Sequence, residues 1–358
     1  MRASELPLLT QSTLNHEVNM EPDVSDYAHS VPAASATVVD DKPLVLFDSD
    51  KDGYGAASVM YKYFGREGAV YLPQKHGGNS EGPPDEVLEA DPTYVLLCDY
   101  SWPVDQLVEV TKLGHNVCVI DHHKSFVSEL GVSPELTEDT SYVSTQVELE
   151  GGVEIRVVYG PNKSAATLAW HTMYGPKRPP SLLRHIEDRD LWNWELECSD
   201  EILLALDVAM DQLEDPVDKV ELIRDNWGAQ GLAARGDVLV SYRDMLVQRF
   251  ARHTRLAHYY APDGQTYTAA VANAPELRSK VGHYILDEYP DADIAVMYSV
   301  GFSEDEDTEV YVSLRSRDGG VDVSQIATHY GGGGHPSAAG FKALGCVWPE
   351  LHLIPDEA

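Results

Sequence analysis

The chain has 358 residues, 43% of them hydrophobic, and a formal net charge of -33 that sets 59 Asp and Glu against 26 Lys and Arg. Such a length accommodates two ordinary domains, each with its own core. An acidic excess of this size argues against a surface built to grip long duplex nucleic acid, which takes a basic face; it fits a solubilising or a salt-adapted exterior. No apolar run reaches bilayer length and no basic-then-apolar leader opens the chain, so a cytoplasmic location without membrane attachment is expected. Cys98, Cys118, Cys198 and Cys346 include no CxxC pair and read as reduced thiols.

Residues 1–40 lack helical or strand periodicity and are expected to form a flexible tail. A repeating rhythm then begins. Leu44-Val45-Leu46-Phe47, Tyr94 to Cys98 and Val117 to Ile120 are short apolar runs. They alternate with the helical patterns Gly55 to Phe64 and Val104 to Leu113. Alternation of this kind predicts βαβ units and a mostly parallel sheet with flanking helices. A polar stretch at 139–156 is compatible with a hairpin. Helices from Ser164 to Tyr174 and from Ser181 to Asp188 complete a first domain over 41–200. Residues 201–255 read as a helical connector or hinge. From 256 to 358 a smaller α/β domain follows, with strands near Ala269, Ile294, Val310 and Phe341, a helix over 279–288 and a glycine-rich turn at Gly331 to Gly334. The expected architecture is α/β throughout, two domains with a cleft between them.

Each apolar run of the first domain is followed at once by acidic or imidazole groups: Asp48 to Asp52, Asp99, then Asp121-His122-His123. Ligands of open α/β sheets bind at the carboxyl ends of the strands, so these side chains can meet in one crevice. Taken alone, Asp48-Ser-Asp50-Lys-Asp52-Gly53 is also what a solvated turn would show. It lacks the twelfth-position Glu and the preceding helix of a calcium-binding EF-hand loop. Glu187-Asp188-Arg189-Asp190 adds carboxylates further along. Oxygen and imidazole donors without thiolate suit Mn²⁺ first and Mg²⁺ second rather than structural zinc. Trp192, Trp194 and Tyr54 lie close to these motifs; core packing is the expected use of the tryptophans, stacking on a base the other. Glu304 to Asp307 reads as a solvated hairpin tip.

Taken together, Asp-x-Asp-x-Asp-Gly, the single Asp99, Asp121-His122-His123 and Asp188 resemble the four-motif signature of the DHH phosphoesterase superfamily. Gly331-Gly-Gly-Gly-His335-Pro-Ser-Ala-Ala-Gly-Phe341, preceded by Ser313-Leu-Arg315-Ser316, resembles the glycine-rich motif of the domain associated with it. The resemblance spans residues 45–341. It implies two divalent metal ions bridged by Asp99, with Asp50 on one ion and Asp52, His122 and Asp188 on the other. Asp190 is the rival of Asp188. It further implies that Asp121 orients a histidine, that His123 faces the substrate phosphate, and that Asp99, His122 and His123 form the catalytic group. Arg315, Ser316, Gly332, Gly333, Gly334 and His335 would bind substrate. Leu46 departs from the pattern where many members carry a His, and Asp48 is expected to fill that gap.

The activity so implied is hydrolysis of phosphodiesters in short single-stranded RNA or DNA or in dinucleotides. A single-strand exonuclease of the RecJ kind and cleavage of cyclic dinucleotides are the alternatives, and a non-catalytic nucleotide sensor a fourth. A homodimer is left open. Absence of a Lys-Ser or Lys-Thr after the glycines argues against a triphosphate P-loop.

Overall fold

A computed structural model describes residues 42–74, 82–91, 93–131, 141–261, 264–302, 308–344 and 353–355. The expected tail at 1–40, the acidic run Glu304–Asp307 and Cys346 lie outside the described residues. In chain order the elements are β1 (Leu44–Asp48), α1 (Lys51–Phe64), β2 (Val70–Gln74), α2 (Asp85–Leu88), β3 (Tyr94–Cys98), α3 (Val104–Lys112), β4 (Asn116–Asp121), α4 (Lys124–Glu129), β5 (Val143–Leu149), β6 (Val153–Tyr159), α5 (Ala165–Tyr174) and α6 (Ser181–Asp190). Then come α7 (Ser199–Met210), α8 (Pro216–Asp225), α9 (Leu232–Ala251), β7 (Arg255–Tyr260), β8 (Thr266–Asn273), α10 (Arg278–Glu288), β9 (Ile294–Phe302), β10 (Thr308–Ser316), α11 (Val323–His329), β11 (Gly333–His335), β12 (Ala338–Leu344) and β13 (Leu353–Pro355).

The chain divides into two units. One holds the described residues up to Leu196 together with Gln212–Gly228; the other holds Glu197–Asp211 and everything described from Ala229 onward. The helical stretch 201–255, expected to be a separate connector, is thus shared out: α8 belongs to the first unit, α7 and α9 to the second.

The first unit is built on a six-stranded sheet in the order β2-β1-β3-β4-β6-β5. All its described pairings are parallel except the β5–β6 hairpin. Period-two alternation places Leu44, Leu46, Val95, Leu97, Val117, Val119, Ile155 and Val157 in one core with Trp102, Leu107 and Phe126. Val45, Phe47, Cys98 and Ile120 alternate onto the other face and are equally buried. Each such aliphatic side chain contributes roughly 1.5–3 kcal/mol by leaving water, which is why central strands read as continuous apolar runs. The edge strand β2 escaped the sequence reading because it is short and contains Pro73, a residue that only an edge position tolerates. On α8 and the residue before it, Asp215, Asp218 and Glu221 surround the Arg66 guanidinium at 3.0, 2.8 and 3.1 Å.

The second unit carries a seven-stranded sheet in the order β11-β12-β10-β9-β8-β7-β13. Among its described strands only β8 and β9 run parallel, joined by α10. Val310, Val312, Leu314 and Phe341 pack on one face with Val323 and Ile326 of α11. Ala270, Ala272, Ala295 and Met297 pack on the other with α9 and α10. Arg243 of α9 and Lys280 of α10 meet Asp200 of α7 at 2.7 and 3.4 Å. Helices α7 and α9 approach so closely at Gly236 that a Cβ there would lie 1.8 Å from the Glu201 carbonyl oxygen.

Gly236→Ala sets two effects against each other. A solvent-facing helical glycine gains about 1 kcal/mol on becoming alanine. Here the new methyl meets backbone rather than a side chain that could move, and overpacking costs typically about 1–3 kcal/mol. The clash wins, so the variant is expected to unfold at lower temperature than the parent in a calorimetric scan.

Candidate metal centre

Adjacent parallel strands put the ends of β1, β3 and β4 on one edge of the first sheet. Strand β1 has β2 on one side and β3 on the other, so the connections diverge there and leave a crevice. Asp48 ends β1 and Asp50 follows it, Asp99 follows β3, and Asp121 ends β4 with His122 and His123 directly after it. Ligand-type atoms of Asp48, Asp50 and Asp99 lie within 4.8 Å of one another, and so do those of Asp52, His122 and Asp190. Asp99, Asp121, His122 and His123 form a third such group, so Asp99 and His122 join the sets. His122 Nε2 stands 3.4 Å from Asp99 Oδ1, 3.4 Å from Asp190 Oδ2 and 3.9 Å from Asp52 Oδ2.

Local structure holds each group in place. Asp50 is the N-cap of α1, its Oδ1 accepting from the Asp52 and Gly53 N–H groups at 3.0 Å each. A carboxylate has about four lone-pair sites, so capping leaves it capacity to face Asp48 and Asp99. Gly53 is required by proximity, since a Cβ there would sit 2.2 Å from the Asp48 carbonyl oxygen. Asp52 is buried on the N-terminus of α5, its two oxygens accepting from Ala165 N at 2.6 Å and Ala166 N at 2.9 Å. Asp99 adopts φ 57°, a left-handed conformation rare outside glycine and asparagine or aspartate. Asp121 Oδ1 accepts from the His122 and His123 backbone N–H groups, at 2.6 and 3.0 Å, and lies 2.8 Å from His123 Nδ1.

The crevice is short of positive charge. Burial pushes the Asp52 carboxyl well above the usual range, and Asp190 pushes it further. Burial does the same to Asp99, reinforced by Asp52 and Asp50. Asp190 is raised to about 6, first by burial and then by Asp50. The Asp121 hydrogen bond lifts the His123 imidazole above its ordinary value. Two carboxylates 4 Å apart repel by about 4 kcal/mol at an effective dielectric of 20. Asp99 Oδ1 is buried and without a hydrogen-bond partner; its 3.4 Å approach to His122 lacks hydrogen-bond geometry. A buried oxygen lacking a donor, between two groups of hard ligands, suits a divalent cation.

Several expectations are corrected. Asp188, expected as a ligand, is turned elsewhere: its Oδ1 accepts from Glu195 N at 2.7 Å and Leu196 N at 3.3 Å, and it joins none of the acidic groups among the described residues. Helix α6 extends to residue 190, and two positions at about 100° each place Asp188 and Asp190 on nearly opposite sides of it. Asp190 is the one that meets Asp52 and His122. Leu46 is buried in the core of the sheet, while Asp48 stands beside Asp50 and Asp99. Tyr54 is buried edge-on to Phe47. Trp192, expected in the core, is 61% exposed. The contribution of α5 was not foreseen; Ser164, its N-cap, was the available signal.

In the second unit, Arg315 on β10 pairs with Ala338 on β12, which pairs with His335 on β11. Directly opposed residues share a face, so Arg315 and His335 flank a floor of Ala338, Gly340 and Gly333. Gly282 of α10 makes room for the Arg315 stem. Burial lowers the Arg315 pKa. Burial and Arg315 together lower that of His283. Ser316 is corrected: it alternates to the opposite face, is buried, and donates to the Pro336 carbonyl. Gly332 spends its N–H on the Ala327 carbonyl at 2.8 Å. Gly333 and Gly334 form part of a strand rather than a free turn.

An open α/β sheet bearing this cluster at its strand ends is the frame of a metal-binding α/β protein. Residues 269–344 match the DHHA1 domain family. Uncharacterized protein R106 of Acanthamoeba polyphaga mimivirus is 25% identical over 302 residues, covering 82% of this chain and 65% of its own length, so the chain spans about two-thirds of that relative. Among solved structures, the pGpG-specific phosphodiesterase PggH of Vibrio cholerae is 14% identical with a TM-score of 0.46, covering 85% of this chain and 93% of its own. Exonuclease RecJ of Thermus thermophilus in complex with Mn²⁺ is 17% identical with a TM-score of 0.42, covering 87% and 51%. The DHHA1 match lies within the second unit, and the Asp and His motifs of the first unit are those that resemble the DHH signature. No helix among the described residues is long and apolar enough to cross a membrane.

The two aspartates of α6 should separate by measurement. Asp190→Asn is expected to weaken Mn²⁺ binding about tenfold or more in calorimetry, while Asp188→Asn lowers the unfolding temperature of the cation-free protein. Proton linkage gives a further test. A carboxyl raised from 3.8 to about 6 in the fold binds more protons folded than unfolded, so its stabilising effect is complete below 3.8 and lost as pH rises through 6. Cation-free protein should lose stability across that window by an amount that Asp190→Asn reduces, the raised Asp52 and Asp99 carboxyls accounting for the rest, and that added Mn²⁺ reverses.

Proposed function

We propose that this chain hydrolyses phosphodiesters in short oligonucleotides or dinucleotides with the help of two divalent cations, Mn²⁺ before Mg²⁺. The observation that carries this reading is the convergence of Asp48, Asp50 and Asp99 beside Asp52, His122 and Asp190, with the buried Asp99 oxygen common ground between them. Asp48, Asp50 and Asp99 would hold one ion; Asp52, His122, Asp190 and Asp99 would hold the other. When bound, such ions neutralise charge on phosphate oxygens and lower the pKa of water.

The remaining work falls to the chain itself. Asp121 fixes the ring of His123, and the carboxylate can only accept, so the imidazole proton sits on Nδ1. The same contact favours the imidazolium, which then offers an Nε2 proton to a phosphate oxygen or to the departing alkoxide. His123 is 40% exposed, open to a substrate. Arg315 gives the second unit a cationic contact for an anionic group of a nucleotide, with the His335 imidazole beside it. The acidic exterior fits a small substrate better than a long polymer.

Turnover of a chromogenic phosphodiester by chelator-treated protein should appear on adding Mn²⁺. His123→Ala should reduce the rate about 10²–10⁴-fold, and Asp99→Asn at least as much. A substrate panel of 2- to 20-nucleotide RNA and DNA with cyclic dinucleotides then separates the dinucleotidase reading from exonuclease and cyclic-dinucleotide readings. Binding without any turnover would leave a sensor. Full activity in Asp99→Asn would sink the proposal.

A further inference from the structure

The turn that follows α6 presents an aromatic surface directly beside Asp190. Trp192 and Trp194 both have left-handed backbones, φ 59° and 55°, an outlier conformation for bulky side chains. Asp188 imposes it. Its carbonyl accepts from Asn193 N at 2.9 Å and Trp194 N at 3.3 Å, while its carboxylate accepts from Glu195 N and Leu196 N. Strain held by so many hydrogen bonds concentrates at sites of function. The two rings meet edge to face at 5.1 Å, and the Arg189 guanidinium stacks over both at 4.7 and 4.6 Å. One guanidinium nitrogen of Arg189 is buried with no hydrogen-bond partner. Trp192 nonetheless remains 61% exposed.

A large indole kept in water by a strained, tethered turn is costly for a purely structural role, since leaving it exposed forgoes the hydrophobic gain. What it suits is a flat ligand. Cations are disfavoured, because Arg189 already lies over the ring and would repel a second positive charge. A neutral, planar ring carrying a phosphate is favoured on both counts. Two residues of chain separate Trp192 from Asp190, at most about 7 Å between their Cα atoms, which keeps a ring stacked there within one nucleotide's reach of the cluster.

We propose that Trp192 is a nucleobase-stacking platform, with Arg189 behind it and Asp188 as the positioning residue that sets the turn. The proposal deepens the phosphodiesterase reading and rests on it for the nucleotide's phosphate. It specifies that the substrate carries a base beside the scissile bond and that binding tolerates different bases, because every base has a π-face.

Two measurements test it in the full chain with Mn²⁺ present. In kinetics, Trp192→Ala should raise KM for a dinucleotide about tenfold, with kcat and the hydrolysis of methyl p-nitrophenyl phosphate little changed; Trp192→Phe should restore most of the loss. In calorimetry, adenosine 5′-monophosphate should bind the parent more tightly than ribose 5-phosphate, and Trp192→Ala should erase that difference. The calorimetric arm decides the platform even in a protein that proves catalytically inert, so failure of the activity and failure of the platform are told apart. Equal losses on the dinucleotide and the base-free ester, or an unchanged preference for the nucleotide in Trp192→Ala, would overturn it.

Discussion

A surplus of carboxylates on one sheet edge governs the first unit. Asp48, Asp50, Asp52, Asp99 and Asp190 are drawn within a few ångströms, with two imidazoles to offset them. The crowding is costly where Asp52 and Asp99 are buried, and the raised pKa values of Asp52, Asp99 and Asp190 record it. The surrounding fold supplies what resists the repulsion: parallel strands buried on both faces, and the N-terminus of α5, whose two N–H groups hold Asp52 where its charge is least unfavourable. The cluster is stable enough to be assembled and unstable enough to demand a counter-charge.

Much of this was legible in the residues. The apolar runs ending in Asp48, Asp99 and Asp121 foretold parallel strands and a common edge, because a buried strand needs continuous apolar character and a turn needs polar residues. The alternation in the second unit likewise showed β8, β9, β10 and β12. Other features hid for physical reasons. The edge strand β2 carries a proline, and β11 is a glycine run that reads as a turn until its partner β12 is known. Asp188 and Asp190 differ in helical phase, which the resemblance does not resolve: place in the motif favours Asp188, whereas Asp190 is the one that stands beside Asp52 and His122. Trp192 shows that burial cannot be inferred from hydrophobicity once the backbone is held by distant hydrogen bonds.

Asp188 and Asp121 illustrate a division of labour between carboxylates that look equivalent in the chain. Asp121 accepts backbone and imidazole hydrogen bonds and thereby aims His123. Asp188 gathers the N–H groups of a turn. Each is buried yet satisfied by donors, whereas Asp99 is buried and lacks one at Oδ1. Its unsatisfied oxygen sets Asp99 apart from Asp121 and Asp188, while Asp52 joins the cluster even though α5 supplies donors to both of its oxygens.

The interleaved course of the chain has a practical corollary. Because α8 lies between α7 and α9 in sequence but belongs with the N-terminal sheet, no single scission can release either half intact. Cleavage near residue 200 would strand the acidic clasp around Arg66 on the wrong fragment; cleavage near 228 would carry off the helix that receives Arg243 and Lys280. Gene fusions or splits that treat the protein as two beads on a string would therefore break both.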